Sequence, residues 1–522
     1  MCICSSFKNL ISKSKAFFTF CSHSSFCLKF SLHPALTNAS CATICSLLVL
    51  LCVLLHPTIG WAWERNTHEE LTEHTIRITE ADLNTYLINN LGLEGGLNAF
   101  VKGGTPQELM KLGSNKEDDE GRSLNHFHEP INDKGLELPV LGGISAINWS
   151  LSGAGDQKWS WNDAREYYFK ALTSETKADR DENWGKTFRA LGQVMHLLQD
   201  SANPSHVRDD PHPFDDGLHD YMERRSVGSY IGSGIFSPDP SMLEQSGATR
   251  SEPFSNLFDR NIYSGSNPQA TLGTDIGVTE YTNANFFSDD TIPGQGSAFS
   301  TEITHPTATE LVPAPVPSPY LTLPRLGSAA FPGARAAKLT GNQAVAEFLL
   351  TNTNFDLIGQ LHLDDGVYDA QAQNLIPRAV VYSAAVLDYF FRGDIEVNET
   401  KTKFQLTGLV QPGGVCAPIP TMSTGVLDVV VTIPSNLNFG GTASTASLYY
   451  EQKDGTRVFD GQFPNPPSGQ ELLGGPTILH AEIDDPVRWF VVLDGDAGPG
   501  TQEKRAIVAK TGLAEWEFVC VI

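Results

Sequence analysis

At Gly393 the hydrophobic period of the chain changes, and with it the kind of fold the sequence can support. Before that point, "THEELTEHTIRITEADLNTYLINNLG", "WNDAREYYFKALT", "ENWGKTFRALGQVMHLLQDSA", "GNQAVAEFLLTN" and "LIPRAVVYSAAVLDYFFRG" carry apolar residues at helical spacing. Thr67 and Glu70 form a capping-box pattern for the first of these, which ends near Gly92. Pro377 falls near the expected first turn of the last one and Gly393 just beyond its end. After Gly393 come "FQLTGLV", "GVLDVVVTI", "ASLYYEQ", "TRVFDGQF", "TILHAEI", "RWFVVLDG", "KRAIVAK" and "WEFVCVI", short β-rich runs separated by Gly, Pro, Asn and Asp. That texture is the signature of a β-sandwich. The expected architecture is mainly α, with an all-helical domain over 63–394 followed by a β-sandwich domain over 395–522. A Pro-, Ser- and Thr-rich stretch at about 293–332, with "LVPAPVPSPYLTLP" at its centre, reads as a loop inserted in the helical domain.

Residues 1–62 stand apart. They hold Lys8, Lys13, Lys15 and Lys29 and no Asp, Glu or Arg, and "CATICSLLVLLCVLL" then runs apolar from Cys41 to Leu55. A basic n-region, an apolar h-region and a small-residue exit make a signal segment, and the apolar run is short for a membrane anchor. The protein is therefore expected to be secreted, extracellular or periplasmic, after cleavage before Trp61 or Trp63. Seven of the nine cysteines lie in this leader, which leaves Cys416 and Cys520. Two cysteines in an exported chain imply one disulfide, and any zinc site must then be built from His, Asp and Glu. The net charge of -25 would become about -29 without the leader, a charge that repels polyanions at long range.

The residues that carry chemistry are concentrated in the helical region. In "HLLQDSANPSH", His196 and Asp200 are four apart on one helix face, and Pro204 turns the chain so that His206 can fold back. Alone, such a pair is the pattern of a packed polar contact. It has company: "HDYMERR" sets His219 and Glu223 four apart, and "EDDEGRSLNHFHEP" sets Glu117, Asp118 and Asp119 before His126 and His128. Of the eleven histidines beyond the leader, seven lie from His68 to His212, with His219 close behind. Clustered imidazoles and carboxylates without thiols point to zinc held by N and O ligands, in more than one copy.

The ordered series Trp63, His68, Asp118, His126 in "HFHEP", His196 with Asp200 and His206, and His219 with Glu223 resembles the zinc-dependent phospholipases C, the clostridial alpha-toxins among them, and their relatives the single-strand-specific zinc nucleases. The resemblance covers about Trp63 to Gly393 and implies an all-helical domain with three zinc ions. It implies that Asp200 bridges two of them. One would also take His126 and His196, with Asp118 as ligand or base. The other would take His68 and the free α-amino group and carbonyl of Trp63. The third would sit on His206, His219 and Glu223. An amide nitrogen cannot ligate as an amine does, because its lone pair is delocalised, so leader removal would be required for the Trp63 site. His74 rivals His68, and Asp119 rivals Asp118. His128 and His212 read as packed or solvated histidines, and "EYTNANFFSDDT" as either a cleft lining or a helix cap.

The resemblance implies a phosphodiesterase in which zinc clamps the phosphate, a zinc-activated water attacks phosphorus, and Asp118 orients or deprotonates that water. The acidic surface and the added β domain point to phospholipid or a membrane surface as partner, ahead of nucleic acid, with no protein partner implied. A nuclease of the same superfamily and a non-catalytic, zinc-stabilised surface-binding protein are the alternatives. "VLDGDAGPG" and "DDP" could hold Ca2+ in the last domain, as loops do in the toxin members, or could simply be turns.

Overall fold

The computed structural model describes residues 17–21, 27–31, 65–119, 121–137, 142–152, 157–211, 217–231, 253–273, 276–292, 303–313, 320–328, 338–341, 363–393, 395, 402–410, 414, 416–427, 430–432, 445–463, 471–473, 477–478, 486–497, 502–513 and 515–521. Trp61, Trp63, the apolar run of the leader, His212 and "NQAVAEFLLTN" lie outside them. The chain divides into two compact units, Met1–Ile59 and Gly60–Ile522. In the first, strands β1 (Phe17–Cys21) and β2 (Cys27–Ser31) pair antiparallel. Among the described residues no helix is long and apolar enough to cross a membrane.

The second unit is helical first and β-rich last. Helix α1 (Arg65–Asn89) buries Leu71, Thr75, Ile76, Leu83 and Leu87 along one face. It starts before Thr67, so the expected capping box is not formed; the Glu70 carboxylate instead accepts from Val227 N at 2.8 Å and Ser226 Oγ at 3.0 Å. Its end is a Schellman turn with Gly92 at φ 66°, where Leu93 N donates to Leu87 O and Gly92 N to Ile88 O. Helix α2 (Pro106–Lys116) has a Thr105/Glu108 capping box, and α3 (Trp161–Thr173) has one from Ser160 and Asp163. Helix α4 (Lys177–Asp200) is capped by Thr176 and is buried on every side from Ala190 onwards, which makes it the axis of the bundle. A single helical turn, Pro204–Val207, follows it, and α5 (Gly217–Glu223) comes next.

Helix α6 (Val278–Asn285) leads to the segment expected to be a loop. There, β3 (Val312–Pro313), β4 (Tyr320–Thr322) and β5 (Lys338–Gly341) form a three-stranded sheet. Burial of Leu321 and Leu323, with Arg325 donating to Asn285 Oδ1 at 2.8 Å, anchors this segment where its proline content had suggested none. The last helix, α7 (Asp365–Phe390), begins ten residues earlier than its apolar core pattern indicated. Asp364 caps it and Val367, Ala372 and Leu375 extend its buried face, so Pro377 lies in the interior instead of the first turn.

The β-rich part forms two four-stranded sheets. One has the order β10 (Arg457–Phe463), β9 (Thr445–Gln452), β13 (Pro486–Gly495), β14 (Ala506–Leu513), all antiparallel. The other has β12 (Thr477–Ile478), β7 (Cys416–Leu427), β6 (Thr402–Val410) and β15 (Glu515–Val521), with β15 parallel to β6. A short pair, β8 (Val430–Thr432) with β11 (Glu471–Leu473), completes it. Cys520 is opposite Gly408 on one side of β6, and Cys416 is opposite Val410 on the other. The side chains of Cys416 and Cys520 lie outside the described residues.

Helices and sheet share one apolar core: Tyr449, Phe490, Val492, Ile507 and Ala509 belong to the same buried cluster as Tyr168, Leu191 and Phe390. Glu503 is its polar pin, accepting from Phe254 N at 2.8 Å, Tyr389 Oη at 2.8 Å and Trp161 Nε1 at 3.1 Å.

Candidate metal centre

The C-terminal turn of α4 delivers His196 and Asp200 into the centre of the bundle, both fully buried. A helix can carry polar residues so deep only if partners meet them there. From α1 comes His68, whose Nε2 is 3.1 Å from Asp200 Oδ1. From the turn after α2 come His126, with Nδ1 2.8 Å from Asp200 Oδ2, and Asp118, with Oδ1 3.5 Å from His196 Nε2 and 3.7 Å from His126 Nδ1. His196 Nε2 is itself 3.2 Å from Asp200 Oδ2 and 3.3 Å from His126 Nδ1. His206, in the turn after α4, brings Nδ1 to 3.8 Å from Asp200 Oδ2.

The tautomers decide what this cluster is for. His196 Nδ1 donates to the Ser114 carbonyl at 2.6 Å. His68 Nδ1 donates to Gln199 Oε1 at 2.8 Å, and the Gln199 amide nitrogen is oriented by Thr72 Oγ1 and Ser383 Oγ. His206 Nδ1 donates to the His126 carbonyl at 3.1 Å. With one ring nitrogen so committed, a neutral imidazole presents a lone pair at the other. Burial, only partly offset by Asp200, holds the His196 pKa down to about 3, so this ring is neutral at ordinary pH. Its Nε2 lone pair therefore faces the Asp200 carboxylate, whose oxygens accept no hydrogen bond in the structure. Lone pairs aimed at a buried anion repel unless a cation lies between them.

The spacing fits a cation. Metal–ligand bonds of about 2.0–2.1 Å in a tetrahedron put neighbouring donor atoms about 3.3 Å apart, and the contacts between 2.8 and 3.7 Å among His68, Asp118, His126, His196 and Asp200 scatter around that edge. Two compact trios result, His68 with Asp118 and His196, and His126 with Asp200 and His206, each within 4.8 Å. Asp200 also touches His68 and His196, so its carboxylate lies between the trios. These pairings differ in detail from those the sequence resemblance implied, where His68 and His206 belonged to other zincs. His206 keeps Nε2 as its available donor, since Nδ1 is committed to a carbonyl. His219 and Glu223 come together on α5, with Nδ1 4.0 Å from Oε1, and Asp220 joins them at 3.4 Å from the same nitrogen.

The two rivals of His68 and Asp118 lie away from the cluster. His74 lies six residues beyond His68, about 240° round α1, where it is half-buried and faces Arg77. Asp119 points outward to Arg65 at 2.8 Å and Lys116 at 3.1 Å. Within "EYTNANFFSDDT", Glu280 acts as a cap, accepting from the backbone N of Gly277, Arg260, Ile262 and Tyr263. Sequence reasoning passed over Glu117. It is fully buried behind the site, bonded by Arg122 at 2.7 Å and Trp149 Nε1 at 2.8 Å, and 3.9 Å from His126 Nε2. Burial, opposed by Arg122 and His126, raises its pKa. The signal was there in the acidic run before His126, but the order of burial within that run is set by how α2 ends.

No protein-family model matches the chain, and no curated protein does. Among solved structures, the fold is similar to the alpha toxin from Clostridium absonum, with 12% sequence identity, a TM-score of 0.29, and cover of 87% of this chain and 94% of that one. It is also similar to the Clostridium perfringens alpha-toxin isolated from an avian strain, SWCP, with 12% identity, a TM-score of 0.27, and cover of 87% and 99%. The chemistry rests on the residues of the site.

Proposed function

We propose that the chain is an exported zinc-dependent phosphodiesterase of the phospholipase C type, which hydrolyses the phosphodiester of a membrane phospholipid. The observation that carries this is the buried Asp200 carboxylate, whose oxygens accept no hydrogen bond while ring nitrogens of His68, His126 and His196 converge on it, an arrangement that bound cations would stabilise. The ordered motif series from Trp63 to Glu223 supplies the reaction class. Bound zinc would supply Lewis acidity to the phosphoryl oxygens and activate water. His68, His126, His196 and Asp200 would hold that charge, while Ser114 O and Gln199 Oε1 fix the tautomers of His196 and His68. Asp118 is the carboxylate beside both His126 and His196 that can take the proton of the attacking water. His206, His219 and Glu223 would hold a further zinc, and the amino group of Trp63 would complete the shell of His68 once the leader is removed.

Phospholipid is favoured over nucleic acid by the acidic charge of the chain and by the β-rich region appended to the helices. The test is zinc content of chain beginning at Trp63, followed by assays on phosphatidylcholine vesicles and on single-stranded DNA. Three zincs with release of phosphocholine are expected. Cleavage of DNA alone would make it a nuclease; zinc below two per chain would remove the cluster; zinc without hydrolysis of either substrate would leave a binding protein.

A further inference from the structure

Apart from the main cluster, a second convergence of metal-binding groups is built two residues beyond His126, at His128. His128 Nε2 lies 3.0 Å from Asp259 Oδ2 and 4.0 Å from Asp133 Oδ1, and the three donor atoms fit within 4.8 Å. His128 and Asp259 are buried, while the Asp133 side chain is largely exposed. Each is pre-set. Ser145 Oγ holds His128 Nδ1 at 2.8 Å, as an oxygen partner does for the second nitrogen of a ligating histidine. Asp259 Oδ1 accepts from Asn261 N at 2.7 Å, which aims Oδ2 at the imidazole. Asp133 sits at φ 54° in a turn closed by the paired backbones of Glu129 and Lys134 and by the Glu129 carboxylate on Ile131 N and Asn132 N.

We propose that His128 Nε2, Asp259 Oδ2 and Asp133 Oδ1 form a further divalent-cation site of the zinc class, structural in role and open to water at its fourth position. One imidazole and two carboxylates are a mixed N/O donor set, which suits zinc better than calcium. Asp259 also adds its charge to burial in raising the pKa of Glu280, so carboxylates crowd here and a cation offsets their repulsion. The site would tie the Glu129–Lys134 turn to the segment at Asp259. His128 N donates to His206 O at 2.9 Å, and His126 is two residues away, so this tie stiffens the backbone behind two ligands of the main cluster.

Asp133→Gly tests it. Glycine takes a positive φ without strain, and the position is exposed, so the variant should fold. Zinc bound per chain is measured by equilibrium dialysis at buffered micromolar free zinc, for the wild type against Asp133→Gly and for Asp200→Asn against the Asp133→Gly/Asp200→Asn pair. One zinc fewer, or one equivalent weakened at least tenfold, is expected in both comparisons, with a smaller zinc-induced rise in Tm. Equal stoichiometry and affinity in either comparison would overturn the site, whatever becomes of the main cluster.

Discussion

Asp200 is where residue chemistry and fold are most tightly joined, because its carboxylate is fully buried and faces imidazole nitrogens from three other chain segments. Asp200→Asn removes the charge that holds the cluster together, and zinc and hydrolysis should fall together, activity by at least 100-fold; atomic absorption and vesicle assays read the two. Retention of the full zinc complement would contradict the bridging role. A pH effect belongs to a different residue, Asp209, whose pKa is pushed up to about 6 chiefly by burial. An acid held up in the native state contributes stability below its unfolded pKa near 3.8, and that contribution is lost as pH rises through about 6. After discounting for partial exposure, the loss is about 1–2 kcal/mol. Asp209→Asn keeps the left-handed backbone at φ 50° and should abolish this slope; urea titrations at pH 4 and pH 7 would measure it.

The α2–α4 crossing decides the site at the scale of elements. Gly113 and Gly192 let the two backbones touch: a Cβ at Gly192 would run into the Met110 carbonyl, and one at Gly113 into the Arg189 carbonyl. That close approach places Ser114 O where His196 Nδ1 needs it. Gly192→Ala should force the helices apart at a cost of about 2–3 kcal/mol. It should also weaken zinc binding, because His196 loses its tautomer anchor. A stable variant with unchanged zinc affinity would refute this coupling. The helices themselves were legible from their periodicity and caps. Pro377 within α7 and the sheet formed by β3, β4 and β5 were not, since upstream burial and long-range pairing override local propensity there.

For the whole molecule, the shared core of helices and sheet predicts one cooperative unfolding transition for Gly60–Ile522 in calorimetry, where two separable transitions would show independent parts. Glu503→Gln keeps the shape but weakens acceptance from Trp161, Phe254 and Tyr389, and should lower stability by about 1–3 kcal/mol. It should do so without splitting the transition. At the same scale, chain retaining Ala62 before Trp63 should bind less zinc than chain beginning at Trp63, because an amide nitrogen cannot ligate.

The sequence by itself determined the order of the architecture, helical to Gly393 and β-rich beyond, and it singled out the candidate ligands, because period, caps and i,i+4 spacing are local properties. Only the tertiary structure showed that His68 and Asp118 are buried in the cluster while His74 and Asp119 face charged partners at its outside, since which of two neighbouring polar groups is buried depends on how helices from distant segments pack. The same holds for Glu117 and for His128 with Asp259. Each is a contact between residues remote in the chain, set by the way the core closes.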